Sequence, residues 1–166
     1  SASMSQVTFD LLRKKMGKEI ERKCLVESLP ENTENYPYTD IVQGYLCVEP
    51  VIRVRKDGEA YYLTYKGNGK FEREEYNLPL NAAAFENLLL KCDGIILEKR
   101  RYRIPLSEGK RTAELDIFKG AYKGLLYVEV EFEDTEEASE FKAPDWFGEE
   151  VTGKPGFSNS ELAMRR

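Results

Sequence analysis

From Lys18 onward, apolar and polar residues alternate in short runs broken by turn residues, the period of two expected of half-buried β-strands. In "KEIERKCLV", Ile20, Cys24 and Val26 share one face of a strand, and Glu19, Glu21 and Lys23 stand in a row on the other. "TDIVQGYLCV" predicts another strand, ended at Glu49-Pro50, where proline removes a ladder donor. "VIRVRKDGEAYYLTYKGNGKFEREEYNL" reads as a meander of three strands, with Asp57-Gly58 as the hairpin signal and Gly67-Asn68-Gly69 as the next break. "GIILEKRRYRI", "KRTAELDIF" and "GLLYVEVEF" follow, separated by Pro105 to Gly109 and by Lys119 to Gly124. Two helices interrupt the strands: Asn81 can cap "AAAFENLLLKC", and Thr135 can cap "EEASEFK", which stops before Pro144. "VTFDLLRKKM" near the start has apolar residues at helical spacing, and Ser160 is placed to cap a last turn in the tail.

A length of 166 residues fits one domain with a substantial core, and neither a repeat nor a shift of composition divides it. Residues 18–166 read as that domain; Ser1, Ala2 and Ser3 ahead of Met4 read as a remnant of cloning. No apolar run approaches the ~20 residues a membrane-spanning helix needs. A formal charge of −5 argues against a broad nucleic-acid surface, so a polyanion would need a local pocket. Cys24, Cys47 and Cys92 are odd in number and lack a CxxC pair, which suggests neither a disulfide framework nor a zinc site and fits a reducing cytoplasm.

The chain contains no histidine. That excludes Ser-His-Asp and Cys-His nucleophile systems and the usual zinc ligand sets. A metal would be held by carboxylates, whose oxygens select hard cations such as Mg²⁺, Mn²⁺ or Ca²⁺.

The polar faces of the strands carry charge in rows: Arg53 and Arg55; Arg73 and Glu75; Lys99, Arg101 and Arg103; Glu114 and Asp116; Glu129 and Glu131, with Lys66 ending "YLTYK". Each row alone reads as the solvated side of an antiparallel sheet. The rows taken together segregate by sign, and like charges side by side repel. Such clusters become favourable when a divalent cation sits among the acids and a polyanion among the bases. Tyr36, Tyr38, Tyr61 and Tyr62 read as packing residues as readily as base-stacking ones.

"EIERK" resembles the ExExK signature of the CYTH superfamily, the triphosphate tunnel metalloenzymes. "RVR" at 53–55, "LTYKG" at 63–67, "REE" at 73–75, "KRRY" at 99–102, "ELDIF" at 114–118, "VEVEF" at 128–132 and "SNSELA" at 158–163 resemble that family's motifs in its order. The resemblance implies an α+β fold, an eight-stranded antiparallel β-barrel whose charged rows line a tunnel, with flanking helices. It implies Glu19, Glu21, Glu129 and Glu131 as an enclosed acidic wall that binds Mg²⁺ or Mn²⁺, with Glu114 and Asp116 as further acids. It implies Arg53, Arg55, Lys66, Arg73, Lys99 and Arg101 as a phosphate clamp, with Glu75 orienting Arg73. Glu19, Glu21 and Lys23 would serve catalysis, Lys23 by contacting a terminal phosphate, holding the two acids apart or positioning water; Arg103 has the parity of the row but no firm counterpart in the family's motifs, and a tunnel mouth is its expected place. The implied activity is metal-dependent hydrolysis of inorganic tripolyphosphate or a related triphosphate. Class IV-type adenylyl cyclase, thiamine triphosphatase and a non-catalytic polyphosphate-binding module are the alternatives.

Overall fold

The computed structural model describes residues 20–68, 74–106 and 109–165. Its strands are β1 (Ile20–Leu25), β2 (Tyr38–Val48), β3 (Val51–Asp57), β4 (Ala60–Lys66), β5 (Glu75–Pro79), β6 (Asp93–Pro105), β7 (Thr112–Lys119) and β8 (Leu126–Phe132). The helices are α1 (Ala82–Leu89), α2 (Thr135–Glu140) and α3 (Asn159–Met164). One eight-stranded sheet runs in the order β1-β8-β7-β6-β2-β3-β4-β5. Every ladder whose register is described is antiparallel. The eight expected strands are therefore present, and among the described residues no β1 to β5 pairing closes them into a ring.

The local chemistry follows the sequence with small offsets. Asp57 pairs with Ala60, so the β3-β4 turn is Gly58-Glu59, one residue beyond Asp57-Gly58. Gly58 has φ 61°, a conformation that costs a residue without Cβ little. Asn81 caps α1 as expected, its side chain accepting from Ala84 N at 2.7 Å. The cap of α2 is Asp134, not Thr135: its carboxylate accepts from Glu137 N at 2.7 Å. Asp134 supplies the stronger acceptor and adds negative charge at the positive end of the helix. The last helix starts at Asn159, which places Ser160 inside it. The leading segment "VTFDLLRKKM" lies outside the described residues.

The described chain falls into two compact units. One comprises residues 41–97 with the C-terminal residues from Asn159. Within it α1 packs on β3 and β4, where Phe85 is buried and meets Tyr61 at 5.3 Å between ring centroids, and Val54 is fully buried on the same face. The charged positions Arg53 and Arg55 alternate with Val54 and so lie on the other face.

The other unit comprises residues 20–40 and 98–158. Its apolar core joins Cys24, Val26, Tyr102, Ile104, Leu115, Val128, Val130 and Phe132, with Phe141, Trp146 and Phe147 packed against it. Arg22 shares the face of Cys24, forms a fork with Glu150 at 2.6 and 3.0 Å, and donates to the carbonyls of Ala138 and Phe141. Beyond β8 the chain returns to the free side of β1. Gly148 N donates to Leu25 O at 2.7 Å, Leu25 N to Glu149 O at 2.8 Å and Val151 N to Lys23 O at 2.8 Å. A Cβ on Gly148 would stand 2.7 Å from Leu25 O, so the close approach requires glycine.

Candidate active site

In the unit of residues 41–97, the cross-strand pairs are Tyr45 with Arg53, Arg53 with Thr64, and Thr64 with Asn77. One step along, Gln43 faces Arg55 and Arg55 faces Tyr62. This polar face is buried: Gln43 and Thr64 are inaccessible, and Arg53 and Arg55 retain only 9% and 7% exposure. Arg53 Nη2 donates to Thr64 Oγ1 at 3.1 Å, and Thr64 Oγ1 donates onward to Asn77 Oδ1 at 2.6 Å. Arg55 Nε donates to Gln43 Oε1 at 2.7 Å, and its Nη1 lies 3.5 Å from Tyr62 Oη.

All of these partners are neutral. Among the described residues no carboxylate pairs with Arg53 or Arg55, and Arg53 Nε and Gln43 Nε2 are buried donors with no acceptor. Burial, and then the charge of Arg55, push the Arg53 guanidinium down to about 10. A buried, uncompensated cation is costly, and two adjacent ones more so. At the end of the same face Lys66 Nζ stands 4.0 Å from Glu75, which is buried. Arg73, which Glu75 was expected to orient, lies outside the described residues.

In the unit of residues 20–40 and 98–158, four strands bring charge to the face opposite the apolar core. Lys23 pairs with Glu129, Glu129 with Glu114, and Glu114 with Arg103 across β1, β8, β7 and β6. The neighbouring row runs through Tyr127, Asp116 and Arg101. Here the signs are interleaved, contrary to the segregation the sequence suggested. Asp116, 1% exposed, accepts a fork from Arg101 Nε and Nη2 at 2.8 and 3.0 Å and an ion pair from Lys99 Nζ at 2.8 Å. Arg101 Nη1 also reaches Glu114 at 3.1 Å. Lys23 Nζ lies 3.1 Å from Glu129 Oε1, donates to Phe157 O at 3.1 Å, and sits 5.0 Å over the ring of Tyr127.

The electrostatics follow from these pairs. Burial alone would raise the Asp116 carboxyl, but Lys99 and Arg101 outweigh it and hold the group well below the usual carboxylate range. Burial works against charge on Arg101, and Asp116, Glu114 and Glu129 overcome it, leaving the guanidinium above its ordinary value. Burial also opposes the charge of Glu129, and Lys23 more than offsets it, so this carboxyl too is lowered.

The stability that these acids contribute is complete above their unfolded values of roughly 4 and is lost as pH falls through the depressed folded ones. Urea midpoints are therefore expected to stay level from about pH 6 to 5 and to decline below about pH 4; a midpoint at pH 3 equal to that at pH 6 would contradict the assignment.

The acids of the expected wall differ in their surroundings. Glu21 and Glu129 are close enough for their side chains to hydrogen-bond, and Glu131 faces Glu21 across the β1-β8 ladder. Glu131 is exposed, so an enclosed, poorly screened position describes Glu129 and not Glu131. Glu19 lies outside the described residues. Among the described residues no group of three or more acids or thiols is gathered tightly enough to hold a metal ion. Both carboxylate oxygens of Asp116 are engaged by Lys99 and Arg101, so here it serves as their counter-charge. Gln43, Tyr45, Thr64 and Asn77 were not singled out from the sequence. The available signal was parity: Thr64 precedes Lys66 by two positions and so shares its side of the strand.

The CYTH domain family model matches residues 17–159. The chain belongs to the CYTH domain family. Inorganic triphosphatase of Nitrosomonas europaea is 38% identical over 149 residues, covering 88% of this CYTH chain and 97% of the relative. Inorganic triphosphatase of Acetivibrio thermocellus is 39% identical over 154 residues, covering 89% and 94%. The crystal structure of an inorganic triphosphatase matches with a TM-score of 0.73 at 35% identity, over 92% of this chain and 99% of that one. A putative adenylate cyclase from Bacillus halodurans, with a TM-score of 0.53 at 17% identity over 73% of this chain and 83% of that one, is alike in fold alone.

Proposed function

We propose that this protein is a hydrolase of phosphoanhydride bonds, an inorganic triphosphatase that takes up tripolyphosphate with a divalent cation. Relatives named for that activity align along nearly the whole chain. The observation that carries the reading is the pair of buried guanidiniums, Arg53 and Arg55, held among the described residues only by neutral groups. Their uncancelled charge favours a polyanion, and each planar fork fits phosphate oxygens bidentately.

The donor chemistry fits a hard cation. With no histidine in the chain, carboxylates are the acidic ligands on offer, and the close approach of Glu21 to Glu129 is one that a cation relieves. Glu19, Glu21, Glu129 and Glu131, with Glu114 beside them, would hold Mg²⁺ or Mn²⁺. When bound, the cation screens phosphate charge and lowers the pKa of water. Arg53, Arg55, Lys66 and Arg73 bind phosphate oxygens and stabilise charge on the phosphoryl group in flight. Lys23 fixes the Glu129 carboxylate, and Asp116 holds Lys99 and Arg101 in place. Water adds to a terminal phosphorus, the bridging P–O bond breaks, and orthophosphate and pyrophosphate leave.

The test is a substrate panel: purified protein with Mg²⁺ or Mn²⁺, incubated separately with tripolyphosphate, ATP and thiamine triphosphate, the products resolved by chromatography. Orthophosphate and pyrophosphate from tripolyphosphate are expected, with turnover lost in excess chelator and restored by added cation. Cyclic AMP from ATP as the main product, or full turnover in chelator, would overturn the reading.

A further inference from the structure

Arg55 carries only donors, so the group it meets on Gln43 must be the amide oxygen. This fixes the amide: Oε1 faces Arg55, and the NH₂ points away into the same polar face. There Nε2 has no acceptor among the described residues, although Gln43 is inaccessible to solvent. Arg53 Nε, two positions from Arg55 on β3, is a second orphaned donor. A buried donor without a partner costs about 1–3 kcal/mol, and native proteins leave few such groups. Two of them beside two cations whose partners among the described residues are neutral make a face suited to an acceptor-rich anion.

A glutamate in place of Gln43 would hold Arg55 in the same position at no loss of hydrogen bonds. It would also neutralise the guanidinium and leave no N–H to donate. The residue present is the one that fixes the fork while preserving its charge.

We propose that Gln43 is a phosphate-positioning residue: through Oε1 it orients Arg55 without cancelling its charge, and through Nε2 it donates to an oxygen of the bound phosphate chain. This rests on the triphosphate reading and extends it to a residue that acts by being neutral. Asn77 and Thr64 support Arg53 by the same principle, an uncharged relay in place of an acid.

The decisive variant is Gln43→Glu, of nearly the same shape. It is expected to melt no lower than the parent, because the new carboxylate pairs with Arg55. KM for tripolyphosphate should rise by about tenfold or more, the scale of one charge-assisted contact, with kcat changing less. The rise in melting temperature that tripolyphosphate produces in chelator should be largely lost. Gln43→Met, which removes the oxygen and the N–H but adds no charge, should show a smaller loss of affinity and serves as the test should the glutamate variant fail to fold.

The arms separate the two ideas. If the parent protein neither turns over tripolyphosphate nor is stabilised by it, the triphosphate reading itself fails. If the parent responds and Gln43→Glu responds equally, with KM within twofold, Gln43 has no part in binding. A fall in melting temperature with KM unchanged would make Gln43 a packing residue and overturn the proposal as well.

Discussion

Asp116→Asn is expected to lower stability by about 3–5 kcal/mol, the scale of removing one partner from a buried ion pair. The carboxylate is 1% exposed and answers two cations at once, Lys99 at 2.8 Å and the Arg101 fork at 2.8 and 3.0 Å. Asparagine keeps the shape and loses the charge. Lys99, 1% exposed, is then buried with its principal counter-charge gone, while Arg101 retains Glu114. At roughly 2–4 °C per kcal/mol for a chain of this size, the melting midpoint should drop by roughly 10 °C. The acid limb of the urea profile should flatten as well, because one of the depressed carboxyls has been removed. A melting midpoint within 2 °C of the parent's, a margin of roughly 1 kcal/mol, would mean that the pair carries no net weight.

Arg53→Met should move stability the other way. The guanidinium is buried next to Arg55, is held by the neutral hydroxyls of Thr64 and Tyr45, and carries an Nε that has no acceptor among the described residues. Methionine fills similar volume and withdraws the uncompensated charge, so the ligand-free protein should melt at the parent's temperature or above it. KM for tripolyphosphate should increase more than tenfold, since a charge-assisted contact worth about 1.5–3 kcal/mol is lost. Arg53→Lys should recover only part of that, because a point charge cannot replace the fork. Wild-type kinetics for the lysine variant would mean that charge suffices; a destabilised methionine variant with unchanged KM would mean that Arg53 is structural. Opposite signs of stability change at Asp116 and Arg53 are what distinguish a compensated buried charge from one kept for a ligand.

The sequence made parity legible and left register hidden. Alternation alone placed Arg53 and Arg55 opposite Val54, and Glu129 opposite Val128 and Val130, because a strand's period of two admits one solution once the apolar face is known. Which acid answers which base depends on the pairing of β6 with β7, and that sets Asp116 across from Arg101 and Glu114 across from Arg103. No local pattern encodes this register, so Asp116 read as one more acid of a metal wall. The neutral residues of the Arg53 face escaped notice for a different reason: Gln43 sits in an apolar-looking strand and Thr64 in an aromatic one, and neither carries the charge by which the rows were recognised. Exposure of Glu131 likewise depends on its place near the end of β8, which alternation does not report. The shift of the α2 cap to Asp134 arose because two adjacent residues could both cap, and the carboxylate is the better acceptor.

The return of the chain along β1 limits how the gene can be cut. The segment around Gly148 to Val151 takes up the outward N–H and C=O groups of Lys23 and Leu25, on the strand that begins the sheet. A chain ended ahead of Gly148 would keep all eight strands yet offer β1 as a bare template to a neighbouring molecule, the route by which sheet proteins polymerise in crowded solution. The residues after β8 thus act as a selvedge, and a fusion partner or purification tag belongs beyond Met164, where the woven border is already complete.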